Sequence, residues 1–347
     1  MKKNKVTIIV PIYNVEKYVA KCLDSLLNQT LEEIEIFAVI DGSPDNSIDI
    51  VKKFAKKDSR IKCINKENGG YGSVLEYSLE RIKTDYFLIC DPDDWLEKNA
   101  VEILYNAAVK NNADIVVGDK YLVYSDDEQV DYCSSILNPG TIEPNKLYEG
   151  LEVGKLVNLS VSPHSKLFKT SLANKIVFPK KVNYTDFLLF IVSLSNAKSA
   201  LYIDKALSYY LIDRVGNSVT DVSIKAINGL LTVFKETLAI LENKKCNNSY
   251  IYYGMYQQMR YTILNVAAKL SKENYKIAKK SIKECLLLLK PYKKEIKQHI
   301  KFDNKLKTIY NRWIFRLLFN KVLSLTTMKF LIKLAKRRKI IWKNMII

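Results

Sequence analysis

The chain has 347 residues, 48% of them hydrophobic and 27% charged, enough for one large globular domain and a smaller one with a core that needs no covalent staples. Its six cysteines, Cys22, Cys63, Cys90, Cys133, Cys246 and Cys285, are scattered with no C-x-x-C pair and no histidine cluster beside them. That spacing argues against a zinc site and a disulfide framework and suits a reducing cytoplasm. The net charge of +18 sits at one end: residues 1–243 carry 29 Lys and Arg against 33 Asp and Glu, net −4, and residues 244–347 carry 26 against 4, net +22.

The first apolar run, Val6 to Pro11, is too short for a signal peptide, and no stretch reaches the roughly 18 to 20 apolar residues that span a bilayer. The expected location is cytoplasmic, with peripheral contact to the inner face of the cell membrane as an option. Val6 to Val10, Ile34 to Ile40 and Tyr86 to Cys90 read as buried strands. Between the first two, Val19, Cys22, Leu23, Leu26 and Leu27 lay one apolar stripe along a helix. A second helix is predicted over Asp45 to Lys57, a short strand over Ile61 to Asn65, and a third helix over Ser73 to Arg81. This alternation predicts an α/β fold with a mostly parallel central sheet.

From about Ser125 to Gly150, clustered acids with Pro139, Gly140 and Pro144 predict loops. Helical and short-strand segments alternate through Tyr210, and the sequence after Asp221 reads as wholly helical. The expected organisation is a catalytic domain over 1–220, with a donor half to about residue 120 and an acceptor half over 121–220, followed by a basic helical domain over 221–347.

Ligands of open α/β sheets bind beyond the carboxyl ends of the strands, and three predicted ends carry unusual residues. The first strand runs into Pro11-Ile12-Tyr13-Asn14, the second into Asp41-Gly42-Ser43, and the strand ending at Cys90 into Asp91-Pro92-Asp93-Asp94-Trp95. Carboxylates so crowded repel one another unless a cation offsets them, and oxygen ligands favour Mg²⁺ or Mn²⁺. The same acids also read as a solvated turn capping a helix near Glu97. Asn68-Gly69-Gly70 opens a helix with backbone suited to a phosphate or a sugar, although such glycine turns are commonly only turns.

In this order and spacing, the four segments closely resemble the family 2 glycosyltransferases, whose donor domain has the GT-A fold. The resemblance is specific over residues 5–105 and fainter to about residue 220. It implies a metal-dependent inverting enzyme that moves a sugar from a nucleotide-sugar, a UDP-sugar by expectation, to an acceptor hydroxyl. The acceptor would belong to bacterial surface polysaccharide, teichoic acid or lipid-linked glycan synthesis. By the resemblance Pro11, Tyr13, Asp41, Asn68 and Gly70 line the nucleotide pocket, with Pro92 in the loop below. Asp91 and Asp93 form the D-x-D that meets Mn²⁺ or Mg²⁺ and the nucleotide, while Asp94 supports the loop. Asp186 matches the catalytic base, with Thr185 where relatives carry Glu. Arg214 to Ser218 resembles the closing phosphate-binding loop, and Ser162 to Phe168 the acceptor-side segment, with His164 as an acceptor contact. Many relatives place an Arg after the glycine segment; here Val74-Leu75-Glu76 leaves no such donor contact.

Tyr310, Trp313, Ile314, Leu317 and Leu318 repeat at helical spacing, and Lys329, Lys333, Lys336 and Lys343 share a face of the next predicted helix. A cationic helix bearing Trp suits an anionic membrane surface, while a helical bundle with lysines outward explains the pattern equally. The rival function is a basic membrane- or nucleic-acid-binding protein with a non-catalytic nucleotide-binding domain. Nucleic acid is not the expected partner, because no helix-turn-helix, RNP or zinc pattern accompanies the charge.

Overall fold

In a computed structural model, the described residues are 3–124, 129–214, 223–269 (backbone only over 264–269), 271–301 and 305–320, with isolated positions beyond. The chain divides into two compact units, Met1–Leu137 with Ile142–Val215, and Asn138–Thr141 with Gly216–Ile347.

The first unit is built on a ten-stranded mixed sheet. Strand β1 (Val6–Ile12) is wholly buried, as its unbroken apolar run requires. Helix α1 (Val19–Leu27) buries Val19, Cys22, Leu23 and Leu26 of the expected stripe and returns the chain to β2 (Ile34–Asp41), parallel to β1. Helix α2 (Ser47–Lys57), β3 (Ile61–Lys66), α3 (Tyr71–Leu79) and β4 (Tyr86–Ile89) complete a parallel set in the order β3-β2-β1-β4. The carboxyl ends of β2, β1 and β4 are therefore neighbours. A two-residue strand β5 (Trp95–Leu96) precedes α4 (Ala100–Asn111) and β6 (Ile115–Val123).

The stretch expected to be loops contains two short strands, β7 (Val130–Cys133) on β6 and β8 (Leu147–Glu149) on the later β10. β7 folds back on the strand just before it, whereas β8 finds its partner some fifty residues on; both are too short to show a pattern among the acids and prolines. Strand β9 (Lys166–Lys169) inserts antiparallel between β4 and β6, and after α5 (Thr185–Asn196) the long β10 (Ser199–Leu211) lies parallel to β6. A row of aromatic rings crosses the sheet at one register: Trp95 stacks on Tyr209 at 5.2 Å, Tyr209 on Tyr121 at 5.0 Å, and Tyr121 meets Tyr132 edge-on at 6.2 Å. Cross-strand aromatic contacts of this kind fasten the short β5 and β7 to the sheet.

The second unit contains α6 (Ile224–Asn243), α7 (Ser249–Lys269), α8 (Lys272–Leu288), α9 (Lys293–Gln298) and α10 (Lys305–Phe319). Ser223 and Ser271 cap α6 and α8, their hydroxyls accepting from the backbone N–H of Ala226 and Asn274. Phe234, Leu241, Met255, Tyr256, Ile282, Ile314 and Leu318 are among its buried side chains. Of the predicted C-terminal stripe, Tyr310, Ile314 and Leu318 are buried, whereas Trp313 is exposed. Lys336 and Lys343 lie outside the described residues.

Candidate active site

The loop after β1 is tied to the loop after β2. The N–H of Asn14 donates to Ser43 Oγ at 2.8 Å, and the N–H of Glu16 to Asp45 Oδ2 at 2.8 Å. Pro11 is buried at the end of β1, and Tyr13 stands 51% exposed above it.

At the end of β2, buried Asp41 is surrounded by donors. Its Oδ1 accepts from Gly69 N at 2.9 Å and Lys66 Nζ at 2.5 Å, and its Oδ2 from Gly70 N at 2.7 Å. Asp41 thereby clasps the Asn68-Gly69-Gly70 segment. Gly70 has a φ of +84°, and a Cβ there would lie 2.8 Å from the backbone nitrogen of Lys181. Only glycine gives both the conformation and the close approach. The segment entering α5 uses that approach: Lys181 N donates to Gly69 O at 2.8 Å, and Phe178 N to Glu76 Oε2 at 2.9 Å. Glu76, in the stretch that leaves no donor-contacting Arg, is a structural tie to that segment.

At the end of β4, four acids and a tyrosine meet. Tyr71, at the first turn of α3, donates its hydroxyl to Asp91 Oδ1 at 2.8 Å. Burial, followed by the charges of Asp91 and Asp186, pushes the Tyr71 phenol well above its usual range, so it remains a donor. Burial and the charge of Asp93 raise the Asp91 carboxyl to about 7, despite the opposing Tyr71 hydrogen bond and Arg214 charge. Asp93 is ion-paired with Arg214 Nε. The rest of the closing loop, residues 215–218, lies outside the described residues.

Asp94 turns the other way. Its Oδ1 accepts from Leu211 N at 2.9 Å, and its Oδ2 lies 2.6 Å from His164 Nε2. Burial, then the charges of Asp93 and Asp91, drive Asp94 well above the usual carboxylate range. Burial, with Lys120 and Lys166 nearby, pushes His164 well below its usual range, so the pair is held by a hydrogen bond between buried groups. His164 is only 7% exposed and its ring tilts against Tyr210 at 4.5 Å. In this arrangement His164, expected as an acceptor contact or a structural residue, is hydrogen-bonded to Asp94.

One ligand atom each from Asp91, Asp94 and His164 lies within 4.8 Å of the others, close enough to hold a metal ion. The expected pair was Asp91 and Asp93; the geometry adds a second set through Asp94 and His164, which sequence spacing did not reveal. The residues fit a cation, because three ligand atoms converge there and Asp91 faces the charges of Asp93 and Asp186, which a positive ion would offset.

Asp186 lies in the first turn of α5, after Tyr184 in left-handed backbone. Burial raises its carboxyl, while the Phe187 N–H, Lys166 and Lys120 favour the ionised form. Both lysines are buried and meet at Ser162, Lys120 Nζ donating to its hydroxyl at 2.8 Å and Lys166 Nζ to its carbonyl. Neither had a signal in the sequence as a site residue.

A mixed sheet with a parallel half and carboxylates at its strand ends has the architecture of the GT-A fold. Residues 7–177 match the family described as Glycosyl transferase family 2. EpsH of Bacillus subtilis is 31% identical over 252 residues, 71% of this chain and 72% of EpsH. Glycosyltransferase GlyA of Streptococcus pneumoniae is 34% identical over 249 residues, 69% of this chain but only 35% of GlyA, so the chain spans about a third of that relative. In fold, the chain matches S. aureus TarS 1-349 in complex with UDP-GlcNAc at a TM-score of 0.72, with 18% identity, 96% of this chain and 92% of the other. The chain belongs to glycosyltransferase family 2.

Proposed function

We propose that the chain transfers a hexosyl unit from a UDP-sugar to an acceptor hydroxyl with inversion at the anomeric carbon. The acceptor is a glycan or lipid-linked glycan of bacterial surface polysaccharide or teichoic acid synthesis, and the enzyme works in the cytoplasm. The observation that carries this reading is the gathering of acids at the end of β4, where Asp91 accepts from the Tyr71 hydroxyl at 2.8 Å and Asp93 pairs with Arg214. A structural neighbour bound to UDP-GlcNAc supports a uridine donor.

Residues 1–220 form the catalytic domain in this reading, with Pro11, Tyr13, Asp41, Asn68, Gly70 and Pro92 around the nucleotide. The acceptor oxygen bonds to the anomeric carbon as the bond from that carbon to the diphosphate oxygen breaks. Asp186 receives the hydroxyl proton, and UDP departs. Desolvation makes its carboxyl more basic, while Lys166 and Lys120 act the other way by favouring the ionised form. Arg214 releases Asp93 to contact the diphosphate. Asp91 and Asp93 would hold Mn²⁺ or Mg²⁺, which would add charge neutralisation at the leaving group when bound.

The test is Mn²⁺-dependent UDP release across a panel of UDP-sugars. Asp186→Asn is expected to lower turnover by about 10² to 10⁴, and Asp93→Ala to weaken metal dependence as well as rate. Unchanged turnover in both variants sinks the mechanism. No release with any donor favours the non-catalytic alternative.

A further inference from the structure

Helix α10 buries one apolar face and exposes a second. Tyr310, Ile314, Phe315 and Leu318 are buried, with Phe315 against Tyr256 at 5.4 Å between ring centres. Leu306, Ile309 and Trp313 are 53%, 47% and 55% exposed. Spaced by three and four residues, these three form one stripe running about 10 Å along the helix. Lys305, Arg312 and Arg316 are exposed along the flank of that stripe, and α10 contains no acidic residue.

We propose that this face of α10 docks on an anionic lipid bilayer, with Leu306, Ile309 and Trp313 entering the headgroup layer and Lys305, Arg312 and Arg316 against lipid phosphates. A single exposed apolar side chain is ordinary on a protein surface, but three aligned beside a cationic strip are the two halves of interfacial binding. Trp is favoured at the headgroup level, where its ring is half in hydrocarbon and its N–H remains wet. The surrounding charge has the matching sign, since residues 244–347 carry a net +22.

Other occupants meet these side chains less well. A second copy would bring its own cationic strip against this one. A nucleic acid would match the charge and leave Leu306 and Ile309 in water. The contact is interfacial, because no helix among the described residues is long and apolar enough to cross a membrane. It stands independently of the transfer chemistry proposed above.

The test is sedimentation of the full chain with vesicles of phosphatidylcholine alone or mixed with phosphatidylglycerol. Binding is expected only with the anionic lipid and is expected to weaken with salt. A Leu306→Ser, Ile309→Ser, Trp313→Ser variant is expected to lose at least about tenfold in partitioning. Arg312→Glu with Arg316→Glu is expected to lose about fivefold or more per side chain. All five positions are exposed, so thermal unfolding followed by circular dichroism should stay close to wild type. Equal binding to neutral vesicles, undiminished binding by the serine variant, or binding to RNA without binding to anionic vesicles overturns the proposal.

Discussion

Two strand ends, separated in the sheet only by β1, handle their carboxylates in opposite ways. At the end of β2, Asp41 receives two backbone N–H groups and the Lys66 ammonium, all from within 29 residues of chain. At the end of β4, Asp91 receives one tyrosine hydroxyl and faces Asp93 and Asp186, and its carboxyl rises to about 7. The first loop is electrostatically complete; the second is short of positive charge. The difference teaches where a ligand is needed. A polar site satisfied by its own chain holds a shape, whereas one left with excess charge has been kept for a partner of the opposite sign.

The contrast breaks most visibly at Asp41. Asp41→Ala is expected to cost on the order of 3 kcal/mol of unfolding free energy, because it leaves two backbone donors and an ammonium without their acceptor. Urea unfolding measures it. A loss below about 0.5 kcal/mol, the scale of an ordinary surface change, would mean that Asp41 is not the clasp of the glycine segment.

A smaller effect sharpens the other side. Between the ordinary Asp value of 3.8 and about 7, folded metal-free protein keeps a proton on Asp91 that the unfolded chain has released. The folded state then binds more protons than the unfolded state, so stability falls as pH rises across that window and levels above it. Asp94, also raised, acts in the same direction. Melting temperatures in a chelator are expected to fall from pH 4 toward pH 7, with Asp91→Asn reducing the slope and Mn²⁺ restoring stability at the upper end. A slope unchanged by Asp91→Asn would place the excess charge elsewhere.

The parallel half of the fold was readable because buried parallel strands are continuous apolar runs, and the residues at their ends follow directly in sequence. Asp41, Asp91 and Asp93 stood out for that reason. The missing parts are long-range. Tyr71 reaches Asp91 across 20 residues, His164 reaches Asp94 across 70, and neither spacing has a periodic signature. Strand β9 escaped because four residues, Lys166 to Lys169, carry too little pattern to show that the strand enters antiparallel. Its position inside the sheet also explains why Lys166 is buried beside Ser162.

Tyr71 gives the finest test of the contrast, because its hydroxyl is the side-chain donor to Asp91 among the described residues, beside the Arg214 charge. If the β4 end is a metal and diphosphate site, that hydrogen bond orients a ligand carboxylate, and partners of this kind are worth about 10- to 100-fold in metal affinity. Tyr71→Phe removes the hydroxyl and keeps the ring. It is expected to raise the Mn²⁺ concentration needed for half-maximal UDP release toward the lower end of that range. At saturating Mn²⁺ the rate should recover, because the acceptor proton passes to Asp186 and not to the phenol. A fall in saturated rate with no change in Mn²⁺ dependence would instead place Tyr71 beside the reacting atoms, and the crowded end of β4 would then be serving acceptor chemistry as well as the donor.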